Sequence, residues 1–361
     1  MPTQLVTLTL PHAVEPAKPT RVRPLIESDV SLHRLSTLPI LILNIHERCN
    51  CRCVMCDIWK REGGAELDVD ALARHRESII RLGVRQVVLT GGEPLLHTAF
   101  ADLCSFLREC DVKITLLSTG LLLKKRAEVI ASSVDEIILS LDGPEKTHDS
   151  VRRVRLGFQL IREGILAVRK WKPEMPIHAR CTVQKANHRT LRQSVLASHQ
   201  LGLDSISFLA ADVTSQAFNR ELVWIDDRQS EIALSHREVN SLEEEIELLI
   251  QEHGEEIDSG YIVERPEKLR RIARHFREHL GEALPQSPQC NAPWVSAVIE
   301  VDGAVRPCFF HNKIGSIRDM PLQDALNSEE ARSFRGSLNI AEDDICKRCV
   351  CSLNYRGHDK R

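Results

Sequence analysis

Short apolar runs and amphipathic segments alternate through residues 38–210. Apolar runs of strand length occur at 38–45, 85–90, 113–118, 136–142, 177–183 and 205–210. Between them, apolar residues recur at three- and four-residue spacing, which predicts helices at 67–83, 98–110, 123–132, 156–170 and 190–201. Strands that alternate with helices favour a parallel sheet with right-handed crossovers. We therefore predict an α/β fold, a partial (β/α)6 TIM-like barrel that binds its ligands at the carboxyl ends of the strands.

The segments outside this pattern differ in composition. The first residues contain several prolines and no sustained periodicity, which predicts a loosely structured arm with at most a short strand at 5–10. Charged amphipathic helices with solvated charged faces follow the barrel, and a compact tail contains a hairpin turning at Asp302 and Gly303. The predicted domains are an N-terminal arm at 1–37, a core at 38–212, a helical bridging segment at 213–285 and a C-terminal domain at 286–361.

Composition narrows the class of protein. The chain has 361 residues, of which 42% are hydrophobic and 27% charged, so it can bury a core of soluble domains. Lys and Arg number 48 against 51 Asp and Glu, and 4% of residues are aromatic, so we do not expect a nucleic-acid partner. The longest apolar run, 38–43, is too short for a membrane helix, and no signal peptide is evident. These features predict a cytoplasmic protein with no membrane association.

The chain contains 12 cysteines, and several of them are grouped at short spacings. In a reducing cytosol such groups favour metal or redox chemistry over disulfides. The stretch RCNCRCVMC follows the first predicted strand and contains Cys49, Cys53 and Cys56 in the spacing C-x3-C-x2-C. Three thiolates at this spacing can hold one iron-sulfur cluster with one iron left open, which leaves Cys51 as a non-ligand. A zinc site is the alternative, although structural zinc usually has four ligands in paired C-x2-C arrangements.

Three further motifs follow the next three predicted strands: TGGEP at 90–94, LSTG at 117–120 and LSLDGPEKTHDSVR at 139–152. Together with the cysteine loop, this ordered series resembles the radical S-adenosylmethionine (radical SAM) superfamily over about residues 39–210. The resemblance implies that the open iron binds the amino and carboxylate groups of S-adenosylmethionine. It also implies reductive cleavage of the sulfonium C–S bond to methionine and a 5′-deoxyadenosyl radical, which removes a substrate hydrogen.

The resemblance implies that the residues of the GGEP motif contact S-adenosylmethionine. Gly91 and Gly92 allow close backbone approach and offer amides, and Glu93, followed by Pro94, can accept hydrogen bonds from the ammonium group. An ordinary strand-to-helix turn is the alternative for this motif taken alone. Ser118 ends the third strand, where its hydroxyl can hydrogen-bond the ligand, although the family more often has Asn one position later.

Further contacts are implied after the fourth strand. Ser140 and Asp142 share one strand face by the two-residue period and can bind ribose hydroxyls, with a cap or turn as the alternative for Asp142. Arg152 stands where similar enzymes direct an arginine to the methionine carboxylate, and its neighbour Arg153 is an alternative. The family usually has an aromatic residue near adenine just before the third cysteine, and here Met55 takes that place.

A second cysteine group occupies the tail. Cys290 and Cys308 enclose the pattern C-x12-G-x4-C, and Cys346 and Cys349 form a C-x2-C pair. The pattern resembles the auxiliary-cluster domains called SPASM and Twitch, which implies that these four thiolates close one auxiliary 4Fe-4S cluster suited to electron transfer. Cys351 is an alternative to Cys349, and a zinc ribbon is the alternative to the cluster.

The implied cofactors are S-adenosylmethionine, a SAM-binding 4Fe-4S cluster and one auxiliary 4Fe-4S cluster, with a flavodoxin or ferredoxin as electron donor. The leading hypothesis is an oxidoreductase that acts on a small polar metabolite such as a sugar or cyclitol, with the auxiliary cluster accepting the electron. The alternatives are a peptide- or protein-modifying enzyme and, from another class, a non-catalytic iron-sulfur or zinc scaffold. The predicted arm is shorter than the leader-binding domain of many peptide-modifying relatives, which favours a small metabolite.

Overall fold

A sheet of nine strands forms the centre of the residues that this computed structural model describes, namely 33–218, 220 and 222–357. The strands are β1 (Ile40–His46), β2 (Gln86–Gly91), β3 (Lys113–Ser118), β4 (Glu136–Ser140), β5 (Ile177–Val183), β6 (Ser205–Ala210), β7 (Ser296–Ile299), β8 (Ala304–Arg306) and β9 (Gly315–Ser316). Their order in the sheet is β6-β5-β4-β3-β2-β1-β7-β8-β9, and β1 to β6 pair in parallel. The predicted six-stranded parallel sheet is confirmed, while the predicted strand at 5–10 lies outside the described residues.

Helices follow most of the strands. They are α1 (Val69–Ala73), α2 (Arg76–Arg81), α3 (Phe100–Glu109), α4 (Leu123–Ser133), α5 (Glu145–Arg152), α6 (Gly157–Trp171), α7 (Leu191–Gln200), α8 (Asp226–Ser230), α9 (His236–Glu252), α10 (Gly254–Ser259), α11 (Pro266–His279), α12 (Ala292–Val295), α13 (Leu322–Leu326), α14 (Glu329–Ser337) and α15 (Asp344–Lys347). The helix predicted at 67–83 is divided into α1 and α2. At this break the Nδ1 atom of His75 accepts a hydrogen bond from the Leu322 amide at 3.2 Å, a contact with the tail that the periodicity does not reveal.

Alternate residues of the parallel strands face opposite sides of the sheet. In β1, Leu41, Leu43 and Ile45 are fully buried in the hydrophobic core, whereas Ile42 and Asn44 on the other face are only partly buried. Ile42 lines a cavity together with residues of the neighbouring strands. The face of the sheet that carries Ile42 and Asn44 therefore lines the lumen of the partial barrel.

The predicted hairpin in the tail is confirmed, because β7 and β8 pair antiparallel around Gly303, which has a φ of +85°. The sequence did not indicate that β7 also pairs in parallel with β1, with Ile40 opposite Ser296 and Leu43 opposite Ile299. The tail therefore extends the sheet of the core at its β1 edge. A domain boundary at residue 286 stays a prediction.

The bridging segment packs against the last part of the barrel. Helix α11 contacts α9 and β6, and α9 contacts α7. The charged face of α9 is only partly solvated, because Glu245 is buried and lies 3.0 Å from Arg192 of α7. In the described part of the chain, no helix combines the length and the apolar character needed to cross a membrane.

Two glycines allow the loops after β1 and β2 to touch. A Cβ atom at Gly92 would lie 2.0 Å from the carbonyl oxygen of Arg48, and one at Gly91 would lie 2.6 Å from that of His46. Two backbone hydrogen bonds join the loops here, from the Gly92 amide to His46 at 2.7 Å and from the Glu93 amide to Arg48 at 2.8 Å. These contacts require a residue without a side chain at position 92.

Replacing Gly92 with alanine is expected to separate the two loops and break these hydrogen bonds. We expect Gly92→Ala to lower the free energy of unfolding by about 2 kcal/mol in urea denaturation. Gly64→Ala is the matched control, because its Cβ atom would meet only the Arg48 side chain at 3.6 Å, an ordinary contact. Equal stability of the two variants would contradict the close loop contact.

Candidate active site

The cysteine loop 48–56 lies beyond the carboxyl end of β1 and is held from two sides. On one side it meets the loop after β2, as described above. On the other side, its backbone binds the end of α5, where the Arg52 amide donates to the Arg152 carbonyl at 3.3 Å and the Val54 amide to the Val151 carbonyl at 3.0 Å. The loop is thus fixed by main-chain hydrogen bonds, and those to the loop after β2 also require that position 92 carries no side chain.

The thiols of the loop differ in their ionisation. Hydrogen bonding with the sulfurs of Cys49 and Cys53 raises the pKa of Cys51, and the hydrogen bond from Cys51, with a further contribution from Arg152, lowers the pKa of Cys53 to about 6. Burial raises the pKa of Cys56 to about 12, although its sulfur accepts a hydrogen bond from the Ile58 amide at 3.4 Å. The contacts of Cys53 with Cys51 and Arg152 therefore favour the thiolate form of Cys53.

Arg152 lies at this loop and forms a buried ion pair, while its predicted contact with the methionine carboxylate stays a prediction. Its Nε atom is 2.5 Å from Asp142 Oδ2, and its Nη1 atom is 3.5 Å from Cys53 Sγ. Burial acts to lower the pKa of Arg152, but the neighbouring Asp142 and Cys53 outweigh it and hold that pKa above its ordinary value. The guanidinium thus places a permanent positive charge beside a predicted cluster ligand.

Asp142 has different partners from the ribose hydroxyls that the sequence predicted. Its carboxylate has no exposed surface, and besides Arg152 it accepts a hydrogen bond from the Thr182 amide at 2.9 Å. Strand β4 ends at Ser140, so the two-residue period that placed Ser140 and Asp142 on one face does not extend to Asp142. These contacts do not support a ribose contact by Asp142, whereas Ser140 stays partly exposed and its ribose contact stays a prediction.

Glu93 joins the loops after β2 and β3. Its fully buried carboxylate accepts hydrogen bonds from the Leu95 amide at 3.1 Å, the Ser118 hydroxyl at 2.9 Å and the Thr119 amide at 2.8 Å. Burial raises the pKa of Glu93, although the hydrogen bonds from Thr119 oppose this change. The predicted contacts of Glu93 and Ser118 with S-adenosylmethionine would require exchange of these partners.

The rest of the GGEP motif also serves packing. The Gly92 amide, predicted to be free for a ligand, donates to the chain itself, and Pro94 is buried at the start of a 3-10 turn. Asn50, which no sequence motif singles out, has a buried Nδ2 atom without a hydrogen-bond partner. Its Oδ1 atom lies 2.9 Å from the Thr119 hydroxyl. An unsatisfied donor in the cysteine loop is a candidate for ligand contact.

The bridging segment covers the cysteine loop. Trp224 donates its indole N–H to Asp57 at 2.8 Å, and Arg228 donates to the carbonyl oxygen of Val54. Two guanidinium groups contact the indole ring, with the Cζ atoms of Arg220 and Arg228 at 3.9 and 4.5 Å from its centre. This contact was not predictable from the sequence, because the charged residues of this segment fit a solvated helix equally well.

The tail cysteines converge on the lumen of the barrel. A cavity of about 340 Å³ is lined on one side by residues of β1 to β6. On its other side the tail contributes five cysteines: Cys290, Cys308, Cys346, Cys349 and Cys351. The structure thus brings together the four predicted auxiliary ligands, and it adds Cys351 to the same cavity, so the choice between Cys349 and Cys351 stays open.

Several N–H groups point at these sulfurs. Cys290 Sγ accepts from the Ala292 amide at 3.5 Å, and Cys308 Sγ accepts from backbone amides of Phe310 and His311. Such N–H···S contacts are typical of thiolates that bind iron. The sulfur donors and their hydrogen bonds therefore fit an iron-sulfur cluster, and the same is true of the loop, where Arg152 and Ile58 face Cys53 and Cys56.

Comparison with known families and proteins agrees with this geometry. Residues 43–172 match the radical SAM superfamily model, and residues 290–350 match the SPASM model, described as an iron-sulfur cluster-binding domain. Fe-coproporphyrin III synthase from Methanosarcina barkeri is 23% identical over 344 residues, which cover 88% of this chain and 83% of that protein. A probable GTP 3',8-cyclase from Methanococcus maripaludis is 33% identical over 104 residues, but the match covers only 35% of its length and 28% of this chain.

Solved structures show the same fold. Streptococcus suis SuiB bound to S-adenosylmethionine superposes with a TM-score of 0.61 at 15% identity, covering 91% of this chain and 75% of that one. Native anSMEcpe with bound AdoMet gives a TM-score of 0.61 at 18% identity, covering 86% of each chain. The partial barrel is thereby confirmed. The two family models confirm the expected cofactor types, S-adenosylmethionine and 4Fe-4S clusters. The chain belongs to the radical SAM superfamily and is a radical SAM enzyme with a C-terminal SPASM iron-sulfur domain.

Proposed function

We propose that this protein is a radical SAM oxidoreductase that removes a hydrogen atom from a small metabolite in the barrel lumen. The substrate radical that forms then passes one electron to an auxiliary cluster in the tail. The placement of the two cysteine groups supports this function most. The loop cysteines lie beyond His46, the last residue of β1. The tail cysteines share a cavity with Ile40 and Gln86, the first residues of β1 and β2. A substrate in the lumen would lie between a radical source and an electron acceptor.

In this proposal Cys49, Cys53 and Cys56 hold the first cluster, which together with S-adenosylmethionine supplies the 5′-deoxyadenosyl radical. The guanidinium of Arg152 stabilises negative charge on Cys53, since it lies within 3.5 Å of that sulfur. Trp224 covers the loop from the outside and limits access of water to the site. Arg152 or Arg153 can also attract the methionine carboxylate, and Gly91 can approach the bound ligand through its backbone.

The cavity has the size and the lining of a site for a small molecule. Its volume of about 340 Å³ is at the lower end of the range for small-ligand sites, and most of its lining surface is apolar. The polar groups include Gln86, Thr115 and Ser207, and the side chain of Arg180 is exposed there, with its Nε atom 3.4 Å from Ser207 Oγ. These groups can bind the hydroxyls of a sugar or cyclitol, or an acidic substituent at Arg180. The name of the Methanosarcina barkeri relative also supports a non-peptide substrate.

Modification of a peptide is the second candidate. It is supported by the similar fold of SuiB, which has been solved bound to the precursor peptide SuiA, and by anSMEcpe bound to the Cp18Cys peptide. In either case we propose an electron donor of the flavodoxin or ferredoxin class. The two candidates differ in the mass of the molecule that loses hydrogen.

The radical chemistry is tested by the products of S-adenosylmethionine cleavage. The protein, reconstituted anaerobically with iron and sulfide and treated with dithionite, is expected to form 5′-deoxyadenosine and methionine. The triple variant Cys49→Ala, Cys53→Ala, Cys56→Ala is expected to lose this activity and keep about four irons in the tail. Cys104→Ala, which changes a buried cysteine of α3, is the matched control and should retain both clusters. Activity in the triple variant would contradict the predicted ligands.

The substrate class is tested by deuterium transfer. Cells grown in deuterated medium provide a low-molecular-mass extract and a peptide fraction, and each is incubated with the reconstituted protein and unlabelled S-adenosylmethionine. We expect the low-molecular-mass extract to give 5′-deoxyadenosine that contains deuterium, because the radical takes its hydrogen from the substrate. Mass spectrometry detects the product. Deuterium from the peptide fraction alone would replace the proposed function with peptide modification.

The fourth ligand of the auxiliary cluster is tested in the triple-alanine background, which retains only the tail cluster. There we expect Cys349→Ala to lose at least one of about four irons, whereas Cys351→Ala keeps them all. Iron analysis and the absorbance of the cluster measure both outcomes. The reverse result would assign the ligand role to Cys351.

A further inference from the structure

His311 lies directly behind one of the proposed auxiliary ligands, outside the cysteine pattern of the tail. Its Nε2 atom is 3.4 Å from Cys346 Sγ, and the residue is only 5% exposed. The aspartate Asp343 completes the group, with Oδ1 at 3.6 Å from His311 Nε2. The Nε2 atom therefore has a sulfur and a carboxylate as its neighbours, and the sulfur is the nearer.

Several contacts fix the histidine in this position. The ring packs edge-on against Phe334, with 5.0 Å between the ring centres. Its backbone carbonyl accepts a hydrogen bond from Arg306 Nη1 at 2.9 Å, and Arg306 is paired with Glu300 at 3.1 Å. Glu300 in turn accepts a hydrogen bond from Asn44 of β1 at 2.5 Å. The backbone of His311 is thus held by β8, and its ring packs against Phe334 beside Cys346.

The geometry fits a hydrogen bond better than a metal bond from the histidine. The tail offers five cysteines for the four thiolates that would hold a 4Fe-4S cluster, so His311 is not needed as a ligand. Asp343 already uses Oδ1 to accept the Cys346 amide at 2.8 Å, which orients the cysteine toward the imidazole. A neutral imidazole with its proton on Nε2 can then donate to the sulfur.

We propose that His311 is a positioning residue of the auxiliary cluster, whose Nε2–H group donates a hydrogen bond to the Cys346 sulfur and raises the reduction potential of the cluster. A donor directed at the sulfur stabilises the added negative charge of the reduced cluster more than that of the oxidised one. A higher potential favours transfer of one electron from the substrate radical to the cluster. The benefit for turnover rests on the proposed function, whereas the effect on the potential requires only that Cys346 binds the cluster.

The proposal is tested by redox titration of the tail cluster, followed by electron paramagnetic resonance, in the triple-alanine background. His311→Phe removes the donor and keeps an aromatic ring against Phe334, so we expect about four irons and a more negative midpoint potential. His311→Gln retains an N–H donor, so its midpoint potential is expected to lie between that of His311→Phe and that of the protein with His311. His236→Phe makes the same change at the exposed start of α9 and should leave the potential unchanged.

Two results would overturn the proposal. An unchanged potential in His311→Phe would show that the histidine does not donate to the sulfur. Loss of iron from that variant would show that His311 is a ligand or a structural residue instead. A failure of the proposed function would appear elsewhere, as absence of 5′-deoxyadenosine from the reconstituted unmodified chain. That failure would leave the measured potentials unaffected, so the two outcomes can be separated.

Discussion

The buried ion pair between Arg152 and Asp142 connects the parts of the candidate active site. Removing two charges from water costs several kcal/mol per ion, and here the cost is offset by their mutual attraction and by the Thr182 amide on the carboxylate. The same arginine faces Cys53, and its backbone carbonyl holds the cysteine loop. The end of α5, strand β5 and the loop are therefore mutually dependent, since loss of either charge would leave the other buried without a partner.

The polar side chains of the strand-end motifs mainly stabilise one another. The carboxylate of Glu93 accepts hydrogen bonds from Ser118 and Thr119 at the end of β3. The two glycines before Glu93 allow the loop after β2 to contact the cysteine loop. The motifs thus build a rigid frame from side-chain hydrogen bonds and close backbone contact. In such a frame, the sulfurs of the cysteine loop, the Nδ2 atom of Asn50 and the guanidinium of Arg152 are among the groups that can meet a ligand.

The position of the tail follows from one strand pair. Because β7 is paired in parallel with β1, the cysteines before and after the β7–β8 hairpin reach the lumen of the barrel instead of an independent lobe. This pairing places sulfur donors at the wall of the cavity that the parallel strands line. Arg306 of β8 binds the backbone carbonyl of His311, and this contact helps to place His311 beside Cys346.

The sequence alone determined the features that depend on local spacing. The alternation of apolar runs and amphipathic segments was sufficient for the parallel sheet, and the C-x3-C-x2-C and C-x12-G-x4-C patterns were sufficient for the two groups of cysteines. Which side chains face each other across the fold was decided only by the tertiary structure. The partners of Asp142 and Glu93, the cover that Trp224 forms and the contact of His311 with Cys346 join residues far apart in the chain. Local periodicity contains no information on such pairs, because they depend on how buried charges and polar groups find partners once the strands are packed.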